Sequence, residues 1–208
     1  MKALILDDEK KSREVLLTLL HTFCNEIAET ESCSDVKGAL EILPSFKPDL
    51  LFMDITLREG DSFELLEKLQ TYDFEIVFIT AYDEIAVKSL QFCSIPCLMK
   101  PIEIEELCDT VRMISTRLGS GFSMEKYQAA RLLLKTQPPQ LPIFKQNKFI
   151  DSVEINAIEN IKMNGDDQVL ISLKDGKKLE AKGHISDYES ILEPHGFMLH
   201  SNAILSHG

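Results

Sequence analysis

The feature that most constrains this chain is an alternation, repeated five times over the first 118 residues, of short apolar runs with amphipathic stretches. The runs are Ala3–Leu6, about Ile27–Cys33, Leu50–Met53, Ile76–Ile79 and Ile95–Met99, the last interrupted by Pro96. Apolar residues recur at helical spacing in the intervals: Val15, Leu16, Leu19, Leu20 and Phe23; about Asp35–Leu43; Phe63, Leu66 and Leu69; and Ile104, Leu107, Val111, Ile114 and Leu118. Strands apolar on both faces belong in a parallel sheet covered by helices on both sides. Residues 1–118 therefore read as an α/β domain with a doubly wound five-stranded parallel sheet. Ligands of such sheets sit at the carboxyl ends of the strands, where the strand order reverses.

The ends of the runs carry the chemistry. Asp7 and Asp8 follow the first run, Asp54 the third, Thr80 the fourth and Lys100 the fifth. In the strand order 2-1-3-4-5, strands one, three and four lie side by side, which crowds three carboxylates together. Adjacent carboxylates repel unless something neutralises them. Two neutralisers suit: a hard divalent cation with oxygen ligands, such as Mg2+, and the ammonium of Lys100. Such a site fits phosphoryl transfer to a carboxylate, with Asp54 as nucleophile. A metal on Asp7 and Asp8 would neutralise the transferring oxygens. Lys100 and Thr80 would contact the phosphoryl group. The competing reading makes Asp7, Asp8 and Glu9 a capping cluster for the first helix. The arrival of four features at four strand ends favours the site. A self-standing hydrolase is disfavoured, because no separate general base or substrate pocket is signalled.

Beyond residue 118 the period changes. Gly119–Gly121 ends the last helix, Ser123–Thr136 is an amphipathic segment with Met124, Tyr127, Leu132, Leu133 and Leu134, and Gln137-Pro138-Pro139-Gln140 stiffens the chain. Residues 119–140 thus read as a linker and 141–208 as a second domain. Short strands are expected at Ile143–Phe144, Val153–Ile155, Ile158–Met163 and Gln168–Leu173. Asp175-Gly176 suits a hairpin turn into a return strand at Leu179–Lys182. A helix over Ile185–Leu192, stopped by Pro194, and a strand over Phe197–Leu205 complete a small, mostly-β domain.

No apolar run approaches the ~18 residues that span a bilayer, and the opening run meets Asp7 too soon for an export signal. The reading is a cytoplasmic protein without a membrane partner. Its five cysteines lack metal-ligand spacing and read as buried free thiols; the scattered histidines fit no metal template. The net charge of −12 lies almost wholly in the first 118 residues. Any contact with nucleic acid must therefore come from a local patch.

The motifs ALILDDE at 3–9, LLFMDI at 50–55, FITAYD at 78–83 and LMKP at 98–101 resemble, in order, those of a two-component response regulator receiver domain. The resemblance implies a flavodoxin-like fold. It also implies a Mg2+ site on Asp7, Asp8, Asp54 and the backbone carbonyl of Thr56, and phosphorylation of Asp54 by a sensor histidine kinase. The Lys100–Pro101 peptide is implied to be cis. On phosphorylation of Asp54, Thr80 is expected to move toward the new phosphoryl group, the segment Glu84–Leu90 to re-pack, and that face with the last receiver helix to form a homodimer surface. Two positions depart from the pattern: Cys97 replaces an aromatic that normally moves with the threonine, and Ser62 replaces a glycine.

VEINAIENIKMNGDDQVLISLKDGKKL at 153–179 and ILEPHGFMLH at 191–200 resemble the DNA-binding LytTR domain of LytR/AlgR-type regulators. The match stops before that fold's closing strands, so the reading is an incomplete, apparently truncated LytTR-like domain. The family's His-Arg-Ser stretch appears as His200-Ser201-Asn202, without the arginine. Lys174, Lys177 and Lys178, with Lys182, are candidate phosphate contacts around the hairpin. Asn164, Gln168, His200, Ser201 and Asn202 are candidates to reach bases. Two readings stay open: a regulator that controls transcription by binding DNA, and a receiver-based module whose output domain binds protein.

Overall fold

The structure, a computed structural model, describes residues 1–58, 62–69, 73–81, 84–93, 95–116, 124–146, 148–201 and 204–207. The chain forms two compact units, Met1–Asp83 with Ile95–Phe122, and Glu84–Ser94 with Ser123–Gly208.

The first unit runs β1 (Lys2–Leu6), α1 (Lys10–Phe23), β2 (Glu29–Cys33), α2 (Val36–Phe46), β3 (Leu50–Asp54), α3 (Phe63–Lys68) and β4 (Glu75–Thr80). After α4 (Glu84–Phe92), which sorts with the second unit, it resumes with β5 (Cys97–Met99) and α5 (Ile104–Ser115). The strands form one parallel sheet in the order β2-β1-β3-β4-β5. This is the doubly wound arrangement expected from the alternation.

The sheet is buried on both faces. Ala3, Ile5, Leu50, Phe52, Val77, Ile79 and Leu98 pack against Leu16 and Leu20 of α1 and Leu107, Val111 and Ile114 of α5. Among the strand residues of opposite parity, Phe78 stacks on Phe63 of α3 with ring centroids 5.4 Å apart. β2 is half exposed, as an edge strand can be, which explains its weak apolar signal. β5 begins two residues later than the apolar run because Pro96 has no N–H to give the ladder. Its carbonyl still accepts the Phe78 N–H at 3.0 Å.

The second unit adds α6 (Met124–Lys135), β6 (Gln140–Lys145), β7 (Lys148–Glu154), β8 (Ile158–Met163), β9 (Gln168–Leu173), β10 (Lys178–Lys182), α7 (Ile185–Leu192), β11 (Phe197–Ser201) and β12 (Ile204–His207). β6 pairs with β7; the others form an antiparallel sheet in the order β10-β9-β8-β12-β11. The amphipathic segment is α6, which packs on β6 and β7 and buries Tyr127, Ala129, Ala130 and Leu133. Phe92 of α4 meets the rings of Tyr188 and Phe144 at 5.2 and 6.1 Å.

Two expectations change. The single strand over Phe197–Leu205 is two strands, β11 and β12, paired antiparallel. β7 starts at Lys148, well before Val153, because most of its side chains are exposed and leave no apolar run to read. Lys100–Pro101 is cis, as is Gln137–Pro138. Among the described residues no helix is long and apolar enough to cross a membrane.

All five cysteines are free. Burial pushes the thiols of Cys24, Cys33, Cys93 and Cys97 up to about 12. At pH 8 such a thiol is ionised in roughly one molecule in ten thousand, and the thiolate is the nucleophile. Iodoacetamide at pH 8 is therefore expected to label half-buried Cys108 first, half-buried Cys97 slowly, and Cys24, Cys33 and Cys93 only after unfolding. Peptide mapping of the native protein that finds all five labelled at one rate would contradict this burial.

Candidate functional site

The carboxyl ends of β1, β3, β4 and β5 converge. Asp7 follows β1 immediately, Asp54 is the last residue of β3, Thr80 the last of β4, and Lys100 follows β5. Asp7, Asp54 and Thr80 are buried, with 4%, 7% and 5% of their surface exposed. A parallel sheet delivers all its strand ends to one edge, so residues distant in sequence meet without any local signal.

The Lys100 ammonium bridges two carboxylates, donating to Asp7 Oδ2 and Asp54 Oδ2 at 2.6 Å each. The remaining oxygens of both acids are also held. Asp7 Oδ1 accepts the Glu9 N–H at 2.8 Å and Asp54 Oδ1 accepts the Thr56 N–H at 3.0 Å. The Lys100 N–H donates to the Thr80 carbonyl at 2.8 Å, which ties the ends of β4 and β5. Thr56 is itself exposed beside the cluster.

Asp7, Asp8 and Asp54 offer oxygens that all lie within 4.8 Å of one another, the one such cluster among the described residues. Burial pushes the Asp54 carboxyl above the usual range, although Lys100 and the Thr56 N–H pull it down. Burial works against the charge on Lys100, but its bonds to Asp54 and Asp7 prevail and hold it above the ordinary lysine value. The ammonium is thus firmly charged. It cannot balance three acids alone, and a hard-oxygen donor set with surplus negative charge fits Mg2+.

The alternative of a helix-capping cluster does not match this geometry. Glu9 takes the N-cap position of α1 without a side-chain cap bond. Asp7 turns back into the cluster, and Asp8 pairs with Arg58, Nε to Oδ2 at 2.9 Å. Two arginines at the site were not singled out from sequence. Arg13 donates to the Asp7 carbonyl at 2.6 Å from one turn inside α1, and Arg58 lies in the loop after Asp54. Their only sequence signal is proximity to the aspartates.

In the second unit, strand register separates the candidate DNA contacts. Asn164 and Gln168 close the β8–β9 hairpin, exposed, with the Asn164 N–H on the Gln168 carbonyl at 2.8 Å. β11 runs parallel to β8, so exposed His200 and the backbone of Ser201 reach that same end of the sheet. Lys174, Lys177 and Lys178 are exposed at the opposite end, around the β9–β10 turn. Lys182 pairs with Gln168 and so does not join the other lysines. Asn202 lies outside the described residues.

Residues 3–112 match the family described as the response regulator receiver domain. The sensory transduction protein LytT of Enterococcus faecalis is 37% identical over 125 residues, covering 58% of this chain and 50% of that protein. The sensory transduction protein LytR of Staphylococcus saprophyticus is 27% identical over 208 residues, covering 95% of this chain and 80% of that protein. The chain thus spans about half the length of the first relative and four-fifths of the second. The receiver domain of the Francisella response regulator 1452 superposes with a TM-score of 0.47 at 28% identity, covering 56% of this chain and 97% of that one.

Proposed function

We infer that this chain, which belongs to the response regulator receiver family by its match over residues 3–112, is a regulator of transcription switched by phosphorylation of Asp54. The observation that carries the reading is the Lys100 ammonium held between Asp7 and Asp54 beside Asp8. Residues 1–118 act as the receiver, 119–140 as the connecting segment and 141–208 as a LytTR-like output domain. The setting is the cytoplasm, and the phosphoryl donor is a sensor histidine kinase.

The chemistry follows from the fixed groups. An Asp54 oxygen bonds to phosphorus as the P–N bond of a phosphohistidine breaks, and the imidazole nitrogen keeps the electron pair. The Thr56 N–H and the Lys100 ammonium fix the plane of the Asp54 carboxylate before attack. Asp7, Asp8, Asp54 and the Thr56 carbonyl would hold Mg2+, which would supply positive charge for the transferring oxygens. Lys100 moves its charge from carboxylate to phosphoryl group, and the Thr80 hydroxyl donates to the same group. The protein acts on no substrate beyond its own phosphoryl transfer and loss.

The route outward is covalent. Residues 81–83 join Thr80 to α4, and α4 packs inside the second unit through Phe92 against Tyr188 and Phe144. Phosphorylation would also favour a homodimer that sets two output domains on repeated DNA sites.

For DNA, the separated candidates imply two footprints. Asn164, Gln168 and His200 would reach bases, as Ser201 and Asn202 would by the sequence reading, and Lys174, Lys177 and Lys178 would meet phosphates farther along the duplex. The test loads the protein with beryllium fluoride and Mg2+ and follows association and duplex binding. We expect tighter self-association and DNA binding that weakens steeply with salt. Unchanged association, with no duplex binding even at low salt, would instead favour an output domain that binds protein.

A further inference from the structure

We propose that Arg58 is a tethered cation that competes with Mg2+ for Asp8 and so sets the metal affinity of the site. The inference rests on the reading of Asp7, Asp8 and Asp54 as a metal centre. Two of those acids are engaged from within: Asp7 and Asp54 share Lys100 and accept the N–H groups of Glu9 and Thr56. Asp8 stands apart. Its side chain, 15% exposed, meets the guanidinium of the 79% exposed Arg58 at 2.9 Å, Nε to Oδ2. The cluster therefore meets two cations.

The two cations differ in how firmly they are held. Lys100 is 16% exposed and has two carboxylate partners. Arg58 is 79% exposed and swings on a long stem. The guanidinium is solvated and only its partner is covered, so water can take over its hydrogen bonds when a divalent ion takes the Asp8 oxygen. Its departure still costs the ion binding energy. The chain thereby carries its own weak inhibitor of metal binding, placed four residues after the phosphoacceptor.

The test is a Mg2+ titration of the whole chain, wild type and Arg58→Gln, by calorimetry and by 1H–15N spectra. The Arg58 Nε–H resonance is identified by its loss in the variant, and the remaining resonances report that the variant is folded. At low salt we expect Arg58→Gln to bind Mg2+ about two- to five-fold more tightly. High salt should narrow the difference. In the wild type, the Arg58 Nε–H should move to the position of a free arginine with the same midpoint as the Thr56 amide. If the Thr56 amide responds while Arg58 Nε–H does not, or if the variant binds equally or more weakly, the role of Arg58 is overturned and the metal centre stands. If the Thr56 amide responds in neither protein, the metal centre itself is lost, and the competition with it.

Discussion

Replacing Asp54 by Asn is expected to abolish transfer of a phosphoryl group from a small phosphoramidate donor in the presence of Mg2+. The wild-type protein should gain one phosphoryl group by intact mass, and the variant none. An amide is not a nucleophile here, yet it keeps an oxygen for the Thr56 N–H. The variant should also remain folded. Burial raises the Asp54 carboxyl, so the folded state disfavours its ionised form. Folding thus carries a penalty at pH values above the ordinary aspartate range, relieved as pH falls through the raised value. A neutral side chain removes that penalty, while Lys100 keeps Asp7 as a partner. We therefore expect the metal-free thermal midpoint of Asp54→Asn to equal or exceed that of the wild type near neutral pH. A phosphorylated variant would place the acceptor elsewhere and remove the basis of the proposed function.

Phe52→Ala should produce the largest loss of stability, about 3–5 kcal/mol. Phe52 is wholly buried in β3, flanked by β1 and β4, within the core that joins α1 and α5 to the sheet. The lost transfer energy of the ring adds to the cost of a cavity that close-packed neighbours cannot fill. Two residues farther along the same strand is Asp54, so the loss also loosens the phosphoacceptor. Phe23→Ala is the control: Phe23 is 46% exposed on α1, and its loss should cost about 0.5 kcal/mol or less. Hydrogen exchange in β1, β3 and β4 reads the first unit separately from the second. Equal protection in the two variants would mean that Phe52 does not anchor the sheet.

The distribution of chemistry between the two units explains why one was easier to read. In the first, the need to bury both faces of a parallel sheet forces continuous apolar runs, and a run's end marks where a polar residue can reach solvent. Asp7, Asp54, Thr80 and Lys100 stand at such ends, so their convergence is legible in the chain itself. In the second, β7 hides behind its exposed side chains, and β11 and β12 fuse into one apparent strand. The candidate DNA contacts illustrate the same limit. Asn164 and His200 are 36 positions apart yet share an end of the sheet, whereas Gln168 and Lys174 are near in sequence and lie at opposite ends. Antiparallel register decides this, and register leaves no local mark on composition.

The amino-acid sequence by itself determined the order of strands and helices in the receiver and the acids and amine at its edge. Hydrophobic burial acts residue by residue and writes its period directly into the chain. Only the tertiary structure decided that Lys100 spans two carboxylates, that Arg58 closes on Asp8, and that α4 packs with the second unit. Those outcomes depend on which groups meet through space. Coulombic pairing and ring packing are set by distances that arise only when separate elements come together.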